Sequence, residues 1–178
     1  MTVLSQIRTF GQVLPTARRN RADLWRVLVR RPQLLGAVGG YELALLSCAR
    51  VDSRLKALAE LKTAAVITCE YCLDIGSALA RAEGITEAQL RALPSYRDST
   101  EFDESDKLVL ELAEAMTRVP ATVDADLRRR LLNRFAQAPL TELAAAIAWE
   151  NHRGRLNQAL GVHPSGFADD MFCAVPER

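Results

Sequence analysis

Two cysteines separated by two residues, Cys69 and Cys72 in the stretch CEYCLDIG, are the residues best placed by type and spacing to do chemistry in this chain. A thiol attacks only as thiolate, and a free pKa of about 8.5 leaves little of that form at neutral pH. A helix N-terminus relieves the shortage, because its unpaired N–H groups and partial positive charge stabilise an anion. With Thr68 as N-cap, Cys69 takes the first helical position and Cys72 the fourth. Both thiols then lie near the first turn, close enough to bridge as a redox disulfide. Glu70 and Asp74 work against this, since nearby negative charge raises a thiol pKa. The spacing leaves open a redox pair, half of a metal site, or two buried structural thiols. A metal would need further ligands, and Cys48, Cys173, His152 and His163 offer no second close pair.

The elements that must hold these thiols are helical. Apolar residues recur at helical spacing along nearly the whole chain, with no sustained strand alternation. Val3, Ile7, Phe10 and Leu14 share a face before Pro15. Leu24, Trp25, Leu28 and Val29 form a short helix that ends before Pro32, which suits the first turn of the next one. That helix places Leu34, Val38, Tyr41, Leu45 and Cys48 on one face, weakened in the middle by Gly39-Gly40. Ser53 to Ile67 is apolar over most of its circumference, which predicts burial. The cysteine helix runs to about Glu83, with Gly84 as its left-handed stop. Thr86 to Leu93 is helical, and a polar loop follows from Ser95 to Glu104. Asp103 with Asp106 opens a helix built on Leu108, Leu112 and Met116, and Asp124 opens another built on Leu127, Leu131 and Phe135. The last long helix starts near Pro139 and passes Leu143, Ile147 and Trp149 before Gly161 stops it. Seven to nine helices joined by short loops predict one all-α domain over residues 1–178.

The totals narrow the function classes. The chain has 178 residues, with 23 Lys and Arg against 22 Asp and Glu, so no overall field draws nucleic acid or an anionic membrane. No apolar run is long enough to span a bilayer, and the N-terminus lacks a secretory signal. Its arginines and lack of acids raise a transit peptide, but the helical pattern continues through Leu24 without a break. A cytoplasmic, reducing compartment is expected, where a disulfide framework is out of place. The basic residues Arg18 to Arg31 and the acidic stretch Asp98 to Glu114 read as solvated faces, or as regions that meet between subunits. Trp25, Trp149 and Tyr71 read as core, with Tyr71 covering the thiols.

The segment RLKALAELKTAAVITCEYCLDIGSALARAEGITEAQL resembles the carboxymuconolactone decarboxylase-like family, which includes the AhpD-type alkylhydroperoxidases. Cys69, Tyr71, Cys72, Ser77, Ala78, Ala80, Gly84 and Ile85 fit its pattern, and LTELAAAIAWENHRGRLNQALGV looks like its final core helix. The likeness covers about residues 40–163, leaving an N-terminal helical extension, 1–39, and a tail, 164–178. It implies an all-helical AhpD-like fold and a homo-oligomer, whether trimer, hexamer or dimer. It also implies a two-cysteine peroxidase without a cofactor, supplied by a small-molecule hydroperoxide and an external dithiol. Cys72 would attack the peroxide and Cys69 would resolve the sulfenic acid as a disulfide.

Two positions depart from that pattern. The family's His, four residues after the second cysteine, is Gly76, and its Glu, twelve residues before the first, is Ala57. Glu60, one turn along, is the candidate replacement base, since a carboxylate on so apolar a helix should have a raised pKa. Its alternative role is an ion pair with Lys56 or with another subunit's cation. His152 is a second candidate relay, or an exposed or capping residue. His163 reads as a surface turn, and Asp74 as a structural partner. The same pair also suits a thiol–disulfide oxidoreductase, and the rival readings are a non-catalytic or differently purposed helical oligomer and a cofactor-free decarboxylase like the family's namesake.

Overall fold

A computed structural model describes residues 3–20 and 23–177. Arg21 and the side chains of Val3 and Trp25 lie outside the described residues, and so do the expectations placed on them. Among the described residues there are nine α-helices and no strand: α1 (Val3–Val13), α2 (Asp23–Leu28), α3 (Pro32–Ser47), α4 (Ser53–Ile67), α5 (Glu70–Ala82), α6 (Glu87–Ala92), α7 (Glu104–Thr117), α8 (Ala125–Phe135) and α9 (Gln137–Ala159).

The helix α4 is central and packs against α5, α7 and α9. Its all-round apolar character is what a helix with neighbours on several sides requires. Leu58 and Leu61 join Leu73, Ile85, Leu90 and Leu110 in one core cluster. Ala59, on another side, joins Val109, Leu112, Leu131, Leu143 and Ile147 in a second. Local signals set the ends. Asp103 and Asp124 cap α7 and α8 by accepting the N–H groups of Asp106 and Leu127. Thr86 and Gln89 form a reciprocal capping box on α6. Gly84, at φ +89°, follows α5 in the left-handed conformation that favours glycine.

The N-terminal helices differ from expectation. The helix α3 is continuous through Gly39-Gly40, yet none of its residues is buried. Leu34, Tyr41 and Leu43 are exposed, as are Ile7 and Leu14 of the first apolar face. These residues repeat at helical spacing without meeting a closed core. Ile7, Leu14 and Leu43 instead border a cavity, which periodicity cannot distinguish from a packed interior.

The tail after α9 is irregular and strapped across α5. Asp74, buried, accepts three backbone N–H groups, from Ser165 and Gly166 at 2.7 Å and from Ala168 at 2.9 Å. Ser77 Oγ accepts the N–H of Ala174 at 2.9 Å, and Lys62, fully buried, pairs with Glu177. Arg18 and Arg19 pair with Asp170 and Asp169. Arg54, Arg97 and Arg130 take Asp106, Glu114 and Glu111. These partners of the basic and acidic stretches therefore lie within the chain. Asp74→Asn puts an NH₂ group where N–H donors converge, and should destabilise by about 2 kcal/mol, read as a lowered urea midpoint.

Candidate active site

The helix α4 ends and α5 begins within two residues. Thr68 has φ +61° and ψ 36°, so it is the C-cap of α4 and not the expected N-cap of α5. Cys69 fills that cap instead, and its Sγ accepts the N–H of Cys72 at 3.3 Å. A sulfur thus replaces the anticipated hydroxyl, while both cysteines keep their place at the first turn. They are joined as a disulfide, with Cα atoms 5.2 Å apart. Both are buried, 1% and 5% exposed.

The helix α9 closes over this turn because Gly154 lets it come near. A Cβ there would meet Ile67 Cδ1 at 3.1 Å and Cys69 Cβ at 3.5 Å. One turn on, Gln158 donates to the carbonyl of Ile67 at 2.8 Å, satisfying the end of α4. Asn157 Nδ2 lies 3.6 Å from Cys72 Sγ and donates to it.

Cys72 forms part of the wall of a cavity of about 580 Å³ that is bounded by α1, α2, α3, α4, α5 and α9. Most of the wall is apolar. Gly76 and Ala57, the two positions where the family pattern has His and Glu, both border it. Small residues there leave space instead of a proton relay.

The charged groups of the cavity form one cluster. Arg153 on α9 reaches Glu42 of α3 at 2.9 Å, Glu150 one turn back at 2.6 Å, and Glu60 of α4 at 3.4 Å. Trp149 Nε1 donates to Glu42 at 2.8 Å and fixes it further. Burial raises the carboxyl pKa of Glu60, against the pull of Arg153. Burial likewise raises Glu150 to about 7, with Arg153 opposing and Glu60 reinforcing the shift. Burial disfavours the Arg153 charge, yet Glu150, Glu60 and Glu42 outweigh it and hold the guanidinium protonated. Glu150 is therefore poised to exchange a proton near neutrality on the wall that also carries Cys72.

Of the residues singled out from sequence, Cys69, Cys72 and Glu60 all lie at this site. The cation of Glu60 is Arg153, whereas Lys56 pairs with Glu142 at 2.8 Å and donates to the carbonyl of Cys48. His152 borders the cavity, is exposed, and stacks on Trp149 with centroids 4.7 Å apart. Tyr41 stacks on Trp149 at 4.2 Å, so Trp149 serves both packing and the cavity wall. Tyr71 packs on the cluster holding both cysteines and borders the cavity. His163 is exposed, 3.4 Å from Asp23. Cys48 and Cys173 are free and half-buried, and burial pushes the Cys173 thiol pKa up. Among the described residues, no group of three or more His, Cys, Asp or Glu is placed to hold a metal ion.

Sequence reasoning missed Glu42, Glu150, Arg153 and Asn157. A signal existed for three of them, since residues 150, 153 and 157 are spaced three and four apart and share one face of α9. Glu42 had none, because only the fold brings α3 alongside.

Comparison with known proteins agrees with this architecture. The chain is 34% identical over 128 residues to the uncharacterized protein YnjA of Escherichia coli strain K12, covering 72% of this chain and 68% of YnjA. It is 23% identical over 112 residues to the uncharacterized protein YdfG of Bacillus subtilis strain 168, covering 62% and 76%. Its fold matches a Cys-to-Ala variant of the debrominase Bmp8 in complex with 2,3,4-tribromopyrrole. The TM-score is 0.75 at 22% identity, covering 91% of this chain and 84% of that one. It also matches an Agrobacterium tumefaciens protein of unknown function described as a putative antioxidant defence protein AhpD. There the TM-score is 0.72 at 20% identity, covering 83% and 97%. The model of the Carboxymuconolactone decarboxylase family matches residues 32–115, and with the likeness to YnjA it establishes that the chain belongs to that family.

Proposed function

We propose that the chain is a thiol-dependent peroxidase acting on organic hydroperoxides, with Cys72 as nucleophile and Cys69 as resolving thiol. The observation that carries this is the bridged Cys69–Cys72 pair at the start of α5, with Cys72 on the wall of a cavity that also holds a carboxyl titrating near 7. In the reduced protein Cys72 passes its proton to the Glu60–Glu150–Arg153 cluster. The thiolate then attacks the terminal peroxide oxygen. The S–O bond forms, the O–O bond breaks, and the departing alkoxide takes a proton to become an alcohol. Cys69 attacks the resulting sulfenic acid, forming the disulfide and releasing water. An external dithiol supplies two electrons and two protons to restore both thiols.

The chain works as one domain in a reducing compartment and as a homo-oligomer. Leu34, an exposed apolar residue of α3 that lies outside the cavity wall, supports the assembly. No described helix is long and apolar enough to cross a membrane. A second reading, favoured by the fold shared with a debrominase, is reductive removal of an aryl halogen. Two thiols would become a disulfide as carbon–halogen becomes carbon–hydrogen, with hydrogen halide released.

The test is peptide mass spectrometry of the reduced protein, alkylated at intervals after adding cumene hydroperoxide. The Cys69–Cys72 disulfide should form far faster than an unstructured cysteine peptide oxidises. With Cys69→Ser, sulfenic acid should accumulate on Cys72. If both thiols stay reduced, the peroxidase assignment fails. Formation of the same disulfide with a bromopyrrole but no peroxide would favour the second reading.

A further inference from the structure

The cavity is much larger than a peroxide group needs, and its polarity is uneven. Its volume of about 580 Å³ is that of a site for a drug-sized ligand. From Ile7, Phe10 and Leu14 through Leu28, Val38 and Leu46, the N-terminal helices give it an apolar wall. Gly76 adds room on the cysteine side. A Cβ at Gly76 would already lie 3.2 Å from Leu61 Cδ1, so any side chain there would crowd this wall.

The polar end carries three carboxylates against one guanidinium, and Arg153 is the one Lys or Arg among the described lining residues. Its donors are already engaged. Nε bonds Glu150 at 2.8 Å, and Nη1 meets both oxygens of Glu42 at 2.9 and 3.1 Å. Nη2 meets Glu150 at 2.6 Å and Glu60 at 3.4 Å. A ligand carboxylate or phosphate arriving here would have to displace a carboxylate from Arg153 and then sit beside it, and like charges side by side cost several-fold to many-fold in affinity. A hydroxyl, amide N–H or amine would instead find carboxylate oxygens ready to accept.

We infer that this cavity binds a bulky, largely apolar molecule that is neutral or cationic at its polar end, and that it excludes anions of the same shape. The inference rests on the proposed function for placing the reacting group at Cys72. Within that assignment it selects esters, sterol-like or neutral aryl hydroperoxides over free fatty-acid hydroperoxides. The cavity reads the body of the ligand through its apolar wall, and Glu60 and Glu42 read its charge.

A matched pair separates the two claims. Calorimetric titration of the full-length protein at about pH 8 with a long-chain hydroxy fatty acid and with its methyl ester measures selection without any redox step. The ester should bind at least about tenfold more tightly than the acid. Glu60→Gln, isosteric and uncharged, should shrink that ratio by strengthening binding of the acid. Equal or tighter binding of the acid, or no binding of either, overturns the inference. The corresponding hydroperoxides are then tested for Cys69–Cys72 disulfide formation. If the hydroxy ester binds selectively while its hydroperoxide leaves the thiols reduced, the peroxidase assignment fails and the ligand preference stands. If both hydroperoxides oxidise Cys72 at equal rates and the alcohols bind equally, the assignment stands and the preference fails.

Discussion

Cys72→Ser is expected to lower peroxide reduction by about a thousandfold or more, the scale seen when a covalent nucleophile is removed. A serine hydroxyl is isosteric enough to keep the packing beside Leu73 and Asn157, but no carboxyl in the cavity can ionise it usefully at neutral pH. The fold should survive, because a bridge between residues three apart closes so short a loop that it constrains the unfolded chain little. Melting temperatures of Cys72→Ser and of the reduced wild type should therefore agree closely. Cys69→Ser should behave differently, reacting once with peroxide at a near-normal rate and then stalling for want of a resolving thiol. Retained turnover in Cys72→Ser would move the nucleophile to Cys69 or to the half-buried Cys173.

The sequence allowed α4 to be read from Ser53 to Ile67 because its ends carry local signals and its burial follows from composition alone. The α4–α5 junction puts the cap of α5 one residue beyond Thr68. Thr68 is the better N-cap by propensity, but α4 ends in a left-handed residue and Thr68 takes that position. The cap then falls to Cys69. The tail, with Pro164 and Gly166 near its start, folds as irregular backbone. Its attachment was hidden, since the three bonds to Asp74 span more than ninety positions. The same limit governed the site. Cys69, Cys72 and Glu60 stand close in sequence on adjoining helices, so pattern alone singles them out. Arg153 joins Glu60 to Glu42 only because α9 packs against both α4 and α3. The apolar residues of α1 and α3 gave a true periodicity and a wrong destination, since a cavity wall and a packed core look alike in a pattern of Leu, Ile and Val.

Arg153→Met removes the one cation among three carboxylates while keeping much of the apolar stem. Breaking such a cluster from one side leaves charge unpaired, and the expected loss is about 3 kcal/mol near pH 8. The dependence on pH identifies the cause. Glu150 titrates near 7 in the folded chain and near 4.3 when unfolded. Between those values the folded state holds a proton that the unfolded state has released. This contribution to stability is full below about pH 4.3, falls as pH rises, and is gone once pH passes about 7. Without Arg153, Glu60 and Glu150 lose their main attraction, their raised pKa values climb further, and the window of falling stability extends above 7. Urea unfolding at about pH 5 and about pH 8.5 should therefore show a small deficit for Arg153→Met at the lower pH and a large one at the higher. Adding Glu150→Gln should recover part of the loss at high pH and little at low pH. A deficit equal at both would assign the role of Arg153 to packing, and would remove the cluster as an acceptor for the Cys72 proton.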